Sequence, residues 1–261
     1  MAAAATTTPS AIRLWLSKLE IPAAVSRTIT PAASTIITTS AMARWSFIVS
    51  VSLPIVGKAE VLRLESVTST QDVARDLPLG SIVIAEHQTA GRGRLERRWE
   101  APAGSALLVS FVLEPNPLLS LAAGVAAAEA CGPQVTLKWP NDLLVGERKL
   151  GGILVETTPN RAICGVGINL SWAPDGAARP DQPRDEVFER LREKMAVWTS
   201  APPARVLARW RELSASLGRR VRVEISGRAT EGLAEDIGPS GELIVDGHPF
   251  IAGSVTHLSE G

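Results

Sequence analysis

One short segment of this 261-residue chain has a composition suited to binding an anion, namely Gly91-Arg92-Gly93-Arg94. It follows soon after the apolar run Ile82-Val83-Ile84, which is typical of a buried strand. Glycine permits positive φ and close backbone approach, while backbone N–H groups and guanidinium groups can bind a phosphate. The same composition also occurs in exposed basic turns and in disordered RNA-binding tails. The position after a strand favours an ordered phosphate-binding loop, although no Gly-Lys-Ser/Thr of a Walker loop follows.

A second group of polar residues surrounds a predicted hairpin. Lys138-Trp139-Pro140-Asn141-Asp142 places an amide and a carboxylate after a lysine-bearing strand, and Lys149 returns at the head of the next strand. Solvated lysines and an ordinary Asn-Asp turn are the alternative interpretation. Two lysines, an aspartate and the pair Gly151-Gly152 around one hairpin favour a ligand site. The run Gly165–Leu170 is weaker evidence, because a glycine in a strand can simply mark a bulge.

The elements that must position these segments are short strands and helices, and they begin at residue 60. Apolar runs predict strands at Leu79–Glu86, Ala106–Leu113, Val135–Trp139, Leu143–Val145, Gly152–Glu156 and Ala162–Leu170. Alanine-rich or amphipathic spacing predicts helices at Leu118–Cys131, Arg184–Trp198 and Ala204–Leu217. After Gly218 the pattern changes to short alternating strands with glycine turns, which indicates a small β-barrel. The fold class is therefore α+β, with a β-only ending.

Residues 1–59 differ in composition from the rest, with tracts such as Ala2–Ala5. Low-complexity polar tracts rarely become ordered, so we expect a disordered extension or a start assigned too early, for instance upstream of a true start at Met42. An acid-poor leader of this kind also suits an organelle transit peptide. The apolar run Trp45–Val56 hints at a signal sequence. It is too short and too interrupted by serine to span a bilayer, which needs about 20 apolar residues.

Charge and cysteine content exclude several classes of protein. The chain has 27 basic and 27 acidic residues, but residues 1–59 contain five basic residues and one acidic residue, which leaves 22 basic and 26 acidic in residues 60–261. A body with that excess of acid is not a general nucleic-acid binder. Two cysteines, Cys131 and Cys164, are too few for a disulfide scaffold and suit a reducing compartment. We therefore expect a cytoplasmic protein that binds neither nucleic acid nor membrane.

Taken together, five segments resemble the biotin–protein ligases in their order and rough spacing. They are SVTSTQ (66–71), AEHQTAGRGR (85–94), KWPNDLL (138–144), RKLGGILVE (148–156) and GVGINL (165–170). The resemblance covers residues 60 to about 257. It implies a mixed β-sheet catalytic domain of the biotin/lipoate ligase type over residues 60–216 and a small Src-homology-like β-barrel over residues 217–261. No DNA-binding winged helix-turn-helix precedes these segments, so the resemblance is to the short, non-repressor form.

The activity implied by this resemblance is an acyl transfer in two steps. Biotin and ATP form biotinyl-5′-AMP, and a lysine of a biotin carboxyl carrier protein then displaces AMP. Mg²⁺ is expected on the ATP phosphates, since it prefers phosphate oxygens and few carboxylates. The resemblance implies a carboxylase carrier as partner, and we expect a monomer or weak homodimer. A lipoate or octanoate ligase of the same fold and a non-catalytic biotin-sensing module are the alternatives.

The resemblance also assigns roles to individual residues. Biotin binding is implied for Ser69, Thr70, Gln71, Gln88, Arg92, Gly93, Arg94 and Lys149. ATP binding is implied for Gly91, Arg92, Arg94, Trp99, Asn141, Lys149 and Asn169. Catalytic roles are implied for Lys149, Arg94 and Asp142, with no metal-ligand set on the protein. Gln71 replaces the family's asparagine, which leaves open whether its longer amide serves or points away. Leu95-Glu96 also departs from the small or basic residues expected there.

Overall fold

The computed structural model describes residues 60–258 and, in addition, the backbone of three short strands before them. These strands are β1 (Val25–Arg27), β2 (Thr35–Thr39) and β3 (Val49–Val51), and they pair antiparallel in that order. The chain divides into two units, residues 1–58 and 59–261, and the three strands belong to the first. The other residues of the first unit, and with them the prediction of a disordered or misassigned leader, lie outside the described residues.

A seven-stranded mixed sheet forms the body of the second unit. Its strands are β4 (Val61–Val67), β5 (Ile82–Gln88), β6 (Ala106–Leu113), β7 (Val135–Lys138), β8 (Asp142–Val145), β9 (Arg148–Thr158) and β10 (Arg161–Asn169). Their order across the sheet is β4-β5-β6-β10-β9-β8-β7. The pair β4–β5 is parallel and the other pairs are antiparallel. This confirms the mixed sheet. Strand β4 was not predicted, because Arg63, Glu65 and Ser66 interrupt its apolar pattern and none of its residues is fully buried.

Four helices accompany this sheet in the described part of the chain: α1 (Thr70–Ala74), α2 (Leu119–Cys131), α3 (Arg184–Thr199) and α4 (Pro203–Leu213). Helix α2 is buried on almost every side because small alanines let it pack closely against the sheet and against α3 and α4. It stops at Gly132, whose φ of +119° suits glycine and whose N–H donates to Ala128 O at 3.1 Å. No helix among the described residues is long and apolar enough to cross a membrane.

A second, five-stranded antiparallel sheet forms the end of the described chain. Its strands are β11 (Arg220–Ile225), β12 (Arg228–Ile237), β13 (Leu243–Val245), β14 (His248–Phe250) and β15 (Ser254–His257), in the order β14-β13-β12-β11-β15. Alternate residues such as Val221 and Val223 are buried and join the same apolar core as α2 and the large sheet. The β-rich ending is confirmed as a small second sheet, and the domain boundary at residue 217 stays a prediction.

Candidate functional site

A cleft of about 280 Å³ opens on the large sheet and is also lined by the segment Gly253–Thr256 of the small sheet. Its apolar floor comes from β6, β9 and β10, through residues such as Val109, Ile153 and Val166. The cleft brings together most of the site residues that the sequence predicted: Ser69, Thr70, Gln71, Gln88, Arg92, Gly93, Arg94, Trp99, Asn141, Asp142 and Lys149. Residues separated by up to 80 positions therefore line one cleft, and the ligand that each of them binds stays a prediction.

The polar end of the cleft is built at the start of α1. Gln88 Oε1 accepts hydrogen bonds from Thr70 N at 2.7 Å and from Thr70 Oγ1 at 3.0 Å. A backbone N–H can only donate, so the amide orientation of Gln88 is fixed and its Nε2 is the group left for a ligand. Ser69 Oγ is buried beside it with no hydrogen-bond partner among the described residues. A buried hydroxyl left in this condition costs free energy, which a polar ligand in the cleft would recover.

Gln71 lies in the cleft, and its longer side chain has a specific place. Its Nε2 donates to Leu154 O at 3.0 Å, and a Cβ added at Gly165 would lie 3.1 Å from the same Nε2. The glycine therefore makes room for the glutamine. Gln71 Oε1 is buried without a hydrogen-bond partner in the described part of the protein. The amide therefore packs into the cleft and does not point away, and its contact with biotin stays a prediction.

Trp99 is held against the sheet by two glycines. Its ring lies over Gly167, where an added Cβ would stand 2.8 Å from Trp99 Cε2. The backbone N–H of Trp99 donates to Gly91 O at 3.0 Å, and an added Cβ at Gly91 would stand 2.3 Å from the backbone oxygen of Trp99. Gly91 itself does not line the cleft, so its contribution is to let the backbone of Trp99 approach. Trp99 Nε1 is buried and, among the described residues, has no hydrogen-bond partner.

Residues 91–99 form a small turn structure that we call the arginine hairpin. Gly93 N–H donates to Arg97 O at 2.7 Å, and Arg97 N–H donates to Arg94 O at 3.2 Å. The two residues at the tip, Leu95 and Glu96, have φ of 54° and 59°. Turns with two successive positive φ values favour Asn and Gly, so Leu-Glu makes this tip unfavourable. The departure noticed in the sequence therefore falls on the most strained part of the loop.

Arg94 joins the hairpin to two other parts of the cleft. Its Nη1 donates to Asn141 Oδ1 at 3.2 Å and to Gly253 O at 3.4 Å. Asn141 is fixed in turn, because its Nδ2 donates to Ile153 O at 2.7 Å. Burial lowers the pKa of Arg94 from its ordinary value, and the nearby Asp142 carboxylate opposes that change. A half-buried guanidinium of this kind stays charged and is available to an anionic ligand.

Asn169 does not line the cleft and lies behind the hairpin β8–β9, whose adjacent strands carry Asp142 and Lys149. Its Nδ2 donates to Ala178 O at 3.1 Å and to Lys149 O at 3.5 Å, so it supports the backbone of Lys149 from below the surface. The predicted contact between Asn169 and a nucleotide therefore stays a prediction.

Some lining residues could not be identified from the sequence. Gly253, Ser254, Val255 and Thr256 lie more than 80 positions from the other lining residues and carry no recognisable motif. Arg97 and Arg98 were given no role from the sequence, yet both line the cleft. The lining as a whole contains one carboxylate, Asp142, and six basic side chains: Arg92, Arg94, Arg97, Arg98, Lys138 and Lys149. Such an excess of positive charge is suited to a polyanionic ligand.

Comparison with known proteins finds related ligases. The model of the biotin/lipoate A/B protein ligase family matches residues 61–171. A biotin–[acetyl-CoA-carboxylase] ligase of Mycobacterium tuberculosis is 36% identical over 212 residues, which cover 69% of this chain and 79% of that protein. This chain belongs to the biotin protein ligase family. Another member, the bifunctional ligase/repressor BirA of Escherichia coli, is 31% identical over 216 residues, 69% of this chain and 67% of BirA.

Solved structures of the biotin protein ligase family share the fold. The biotin protein ligase from Aquifex aeolicus, solved in complex with biotin and ATP, superposes with a TM-score of 0.67 at 24% identity. The match covers 77% of this chain and 99% of the Aquifex chain. At that identity the likeness concerns the fold, and it confirms the α+β architecture that the ligase resemblance implied.

Proposed function

We propose that this protein attaches biotin to a specific lysine of a biotin carboxyl carrier protein, using ATP and passing through biotinyl-5′-AMP. The observation that carries the proposal is that one cleft combines two kinds of group. The buried polar atoms Ser69 Oγ and Gln71 Oε1 accompany an apolar floor, and six basic side chains share the same lining. A fused-ring urea with an apolar chain suits the first set of groups, and a nucleoside triphosphate suits the second. Membership of the biotin protein ligase family supports this assignment.

The first step brings two anions together. The biotin carboxylate attacks the α-phosphorus of ATP, a carbonyl–oxygen–phosphorus linkage forms, and the bond to the β-phosphate breaks to release pyrophosphate. Fixed cations at the point where charge accumulates lower the barrier for such a step. We assign this role to Arg94 and Lys149, because both line the cleft, where Arg94 contacts Asn141 and Lys149 contacts Asp142. The apolar floor also keeps water from the mixed anhydride that results.

The second step uses the anhydride as an acylating agent. The carrier lysine attacks the biotinyl carbonyl as a free amine, an amide bond forms and AMP leaves. The nitrogen must lose a proton during this attack. We assign that proton to Asp142, which is the one carboxylate among the described residues that line the cleft. Asp142 Oδ1 lies 2.6 Å from Lys149 Nζ, so the proposed proton acceptor stands directly beside a cation of the same cleft.

Magnesium forms part of the proposal, as a companion of the ATP phosphates. Within the described residues, no cluster of three or more His, Cys, Asp or Glu side chains could hold a metal ion. A single carboxylate at Asp142 and the amide of Asn141 fit Mg²⁺, which is commonly held by one carboxylate together with substrate phosphates. The ion would neutralise charge on the departing pyrophosphate.

The partner that we propose is the biotin carrier of acetyl-CoA carboxylase or of a related carboxylase, and the proposed compartment is the cytoplasm. Both cysteines are unpaired, as a reducing compartment would keep them. We propose a monomer or weak homodimer.

Labelled biotin, ATP and a purified carrier domain test the function directly. We expect label on the carrier that survives denaturation, requires ATP, and disappears when the acceptor lysine of the carrier is replaced by arginine. Octanoate offered in place of biotin serves as the comparison for a lipoate-type ligase. Bound label without transfer would identify a biotin sensor, and transfer of octanoate alone would identify the lipoate-type enzyme; either result would overturn the proposal.

A further inference from the structure

Arg92, at the base of the arginine hairpin, makes ion pairs outside the reacting part of the cleft. Its Nη2 lies 3.0 Å from Asp72 Oδ1 and 3.4 Å from Glu156 Oε1. Asp72 belongs to α1 and Glu156 belongs to β9, so one guanidinium connects three separate elements. All three side chains are between 32% and 39% exposed, which leaves the pairs partly shielded from solvent.

A second arginine completes this group of charges. Arg75 Nη2 lies 2.8 Å from Glu156 Oε2, and Arg75 Nη1 lies 3.5 Å from Asp72 Oδ1. The hydrogen bond that Arg75 donates to Glu156 raises the pKa of Arg75. The two carboxylates therefore alternate with two guanidinium groups, and each carboxylate contacts both arginines. We call Asp72, Arg75, Arg92 and Glu156 the charge square.

The arginine hairpin needs the charge square to hold it in place because the backbone conformation at its tip is unfavourable. Leu95 and Glu96 both have positive φ, which non-glycine residues adopt only at a cost in free energy. Arg92 lies at the opposite end and forms an antiparallel bridge with Arg98, so fixing Arg92 fixes both arms of the hairpin. Arg92 Nε and Nη2 are both buried with no hydrogen-bond partner among the described residues, so the contacts of Nη2 with the two carboxylates are ion pairs without hydrogen-bond geometry, and Nε is left for a ligand in the cleft.

We propose that Asp72 and Glu156 are positioning residues that hold Arg92, and with it the arginine hairpin, over the cleft. They touch no reacting atom. Their effect is to keep the hairpin closed for a larger fraction of the time. This role rests on the proposed function in one respect, namely that a closed hairpin lengthens the retention of the acyl-adenylate and protects it from water.

Trypsin sensitivity tests the anchor without any assumption about catalysis. The hairpin contains four arginines, so its opening exposes several cleavage sites: Arg92, Arg94, Arg97 and Arg98. When opening and closing are fast, the cleavage rate reports the open fraction. We expect the double variant Asp72→Asn/Glu156→Gln to be cut in the hairpin roughly threefold to tenfold faster than wild type, the range for two partly exposed ion pairs. The matched control is Asp185→Asn/Glu189→Gln, which removes two ion-paired carboxylates at α3 and should be cut at the wild-type rate.

A mutant cycle shows whether the carboxylates act through Arg92 or only through Arg75 and α1. In an Arg92→Ala background, the double variant should add no further increase in cleavage at the remaining arginines. Raising the NaCl concentration should accelerate hairpin cleavage of wild type and of the control, because screening weakens their partly exposed ion pairs. The cleavage rate of the double variant, which lacks these pairs, should change little. An increase that persists in the Arg92→Ala background would overturn the proposal, as would equal cleavage of the double variant and its control.

Retention of the adenylate is the functional readout. After preformed enzyme–adenylate is diluted into excess unlabelled biotin, the double variant should lose label roughly threefold to tenfold faster. The KM for ATP should stay unchanged. If no adenylate forms on the wild-type protein, the proposed function fails while the trypsin result still decides the anchor. If adenylate forms and both proteins lose it at the same rate, the anchor has no role in retention and this part of the proposal is wrong.

Discussion

Lys149 Nζ lies 2.6 Å from Asp142 Oδ1, on the neighbouring strand of the same hairpin. The lysine side chain is 44% exposed and the aspartate side chain is 20% exposed. An ion pair this open contributes about 1 kcal/mol or less, so it orients the lysine but does not hold it against a more highly charged partner. Lys149 can therefore turn to a phosphate when one is near.

Replacing Lys149 by alanine removes one of the cations that we place at the reacting carboxylate and α-phosphate. Loss of one such group costs roughly 10²–10³ in rate. We expect biotin-dependent release of pyrophosphate to fall by that factor. Lys194→Ala is the matched control, because Lys194 is also ion-paired, with Glu129 at 2.8 Å, but lies on α3. Normal pyrophosphate release by Lys149→Ala would remove this residue from the mechanism.

Arg94→Gly should affect retention of the adenylate more than its synthesis. The substitution removes the contacts to Asn141 and Gly253 and the charge available to the phosphate. The released anhydride would acylate exposed lysines on other proteins. A blot for biotin after incubation with ATP, biotin and an unrelated lysine-rich protein measures this loss of selectivity. Labelling confined to the carrier, as with the control Arg228→Gly in the small sheet, would contradict the role of Arg94.

Gly167→Ala tests the position of Trp99. The new Cβ would stand 2.8 Å from Trp99 Cε2, so the indole must move. A displacement of about 1 Å in a positioning group can cost ~10²-fold in activity. We expect a higher KM for ATP and a changed tryptophan fluorescence spectrum, with little change in biotin affinity. Gly124→Ala in α2 is the control, because its Cβ would meet Leu137 Cδ2 at an ordinary 3.5 Å. Unchanged KM and fluorescence in Gly167→Ala would show that Trp99 does not bind the nucleotide.

We expect His257 to make the free energy of unfolding depend on pH. Burial lowers the pKa of His257 below its ordinary 6.5, and the positive charges of Lys138 and Arg219 lower it further, against the opposing carboxylate of Glu147. The neutral ring fits its surroundings, because Nδ1 accepts from Arg219 Nη1 at 3.0 Å and Nε2–H donates to Ser216 Oγ at 3.1 Å.

Because the pKa of His257 is lower in the folded than in the unfolded protein, the stabilisation by its neutral ring is fully present above a pH of about 6.5. That stabilisation is lost as the pH falls below this value. We expect the urea midpoint of wild type to drop more between pH 7.5 and pH 5.5 than that of His257→Asn. Equal drops in the two proteins would show that His257 does not carry the pH dependence.

A chain that begins at Lys58 should keep full ligase activity and solubility. Lys58 is the last residue of the first unit, and the residues that line the cleft lie in the second unit. Far-ultraviolet circular dichroism, thermal unfolding and carrier labelling compare it with the full chain. Loss of folding in the shorter protein would show that residues 1–57 stabilise the ligase body.

The sequence alone determined the elements and the local motifs. The strand Ala106–Leu113 was predicted with the bounds that the structure shows, and the helix Leu118–Cys131 differs by one residue, because apolar runs and the Gly132 stop are local signals. The family resemblance assigned roles to residues of which most line one cleft in the structure.

Only the tertiary structure decided which atoms meet. Three contacts join residues more than 60 positions apart: Gln71 with Gly165, Arg94 with Gly253, and Arg92 with Glu156. The ion pair between Asp72 and Arg92 spans fewer positions, but it joins a helix to a loop. Such contacts depend on strand order and register, which bring distant positions to the same face of a sheet. The motifs indicated the chemistry of the cleft, and the packing of the sheet determined which side chains act together.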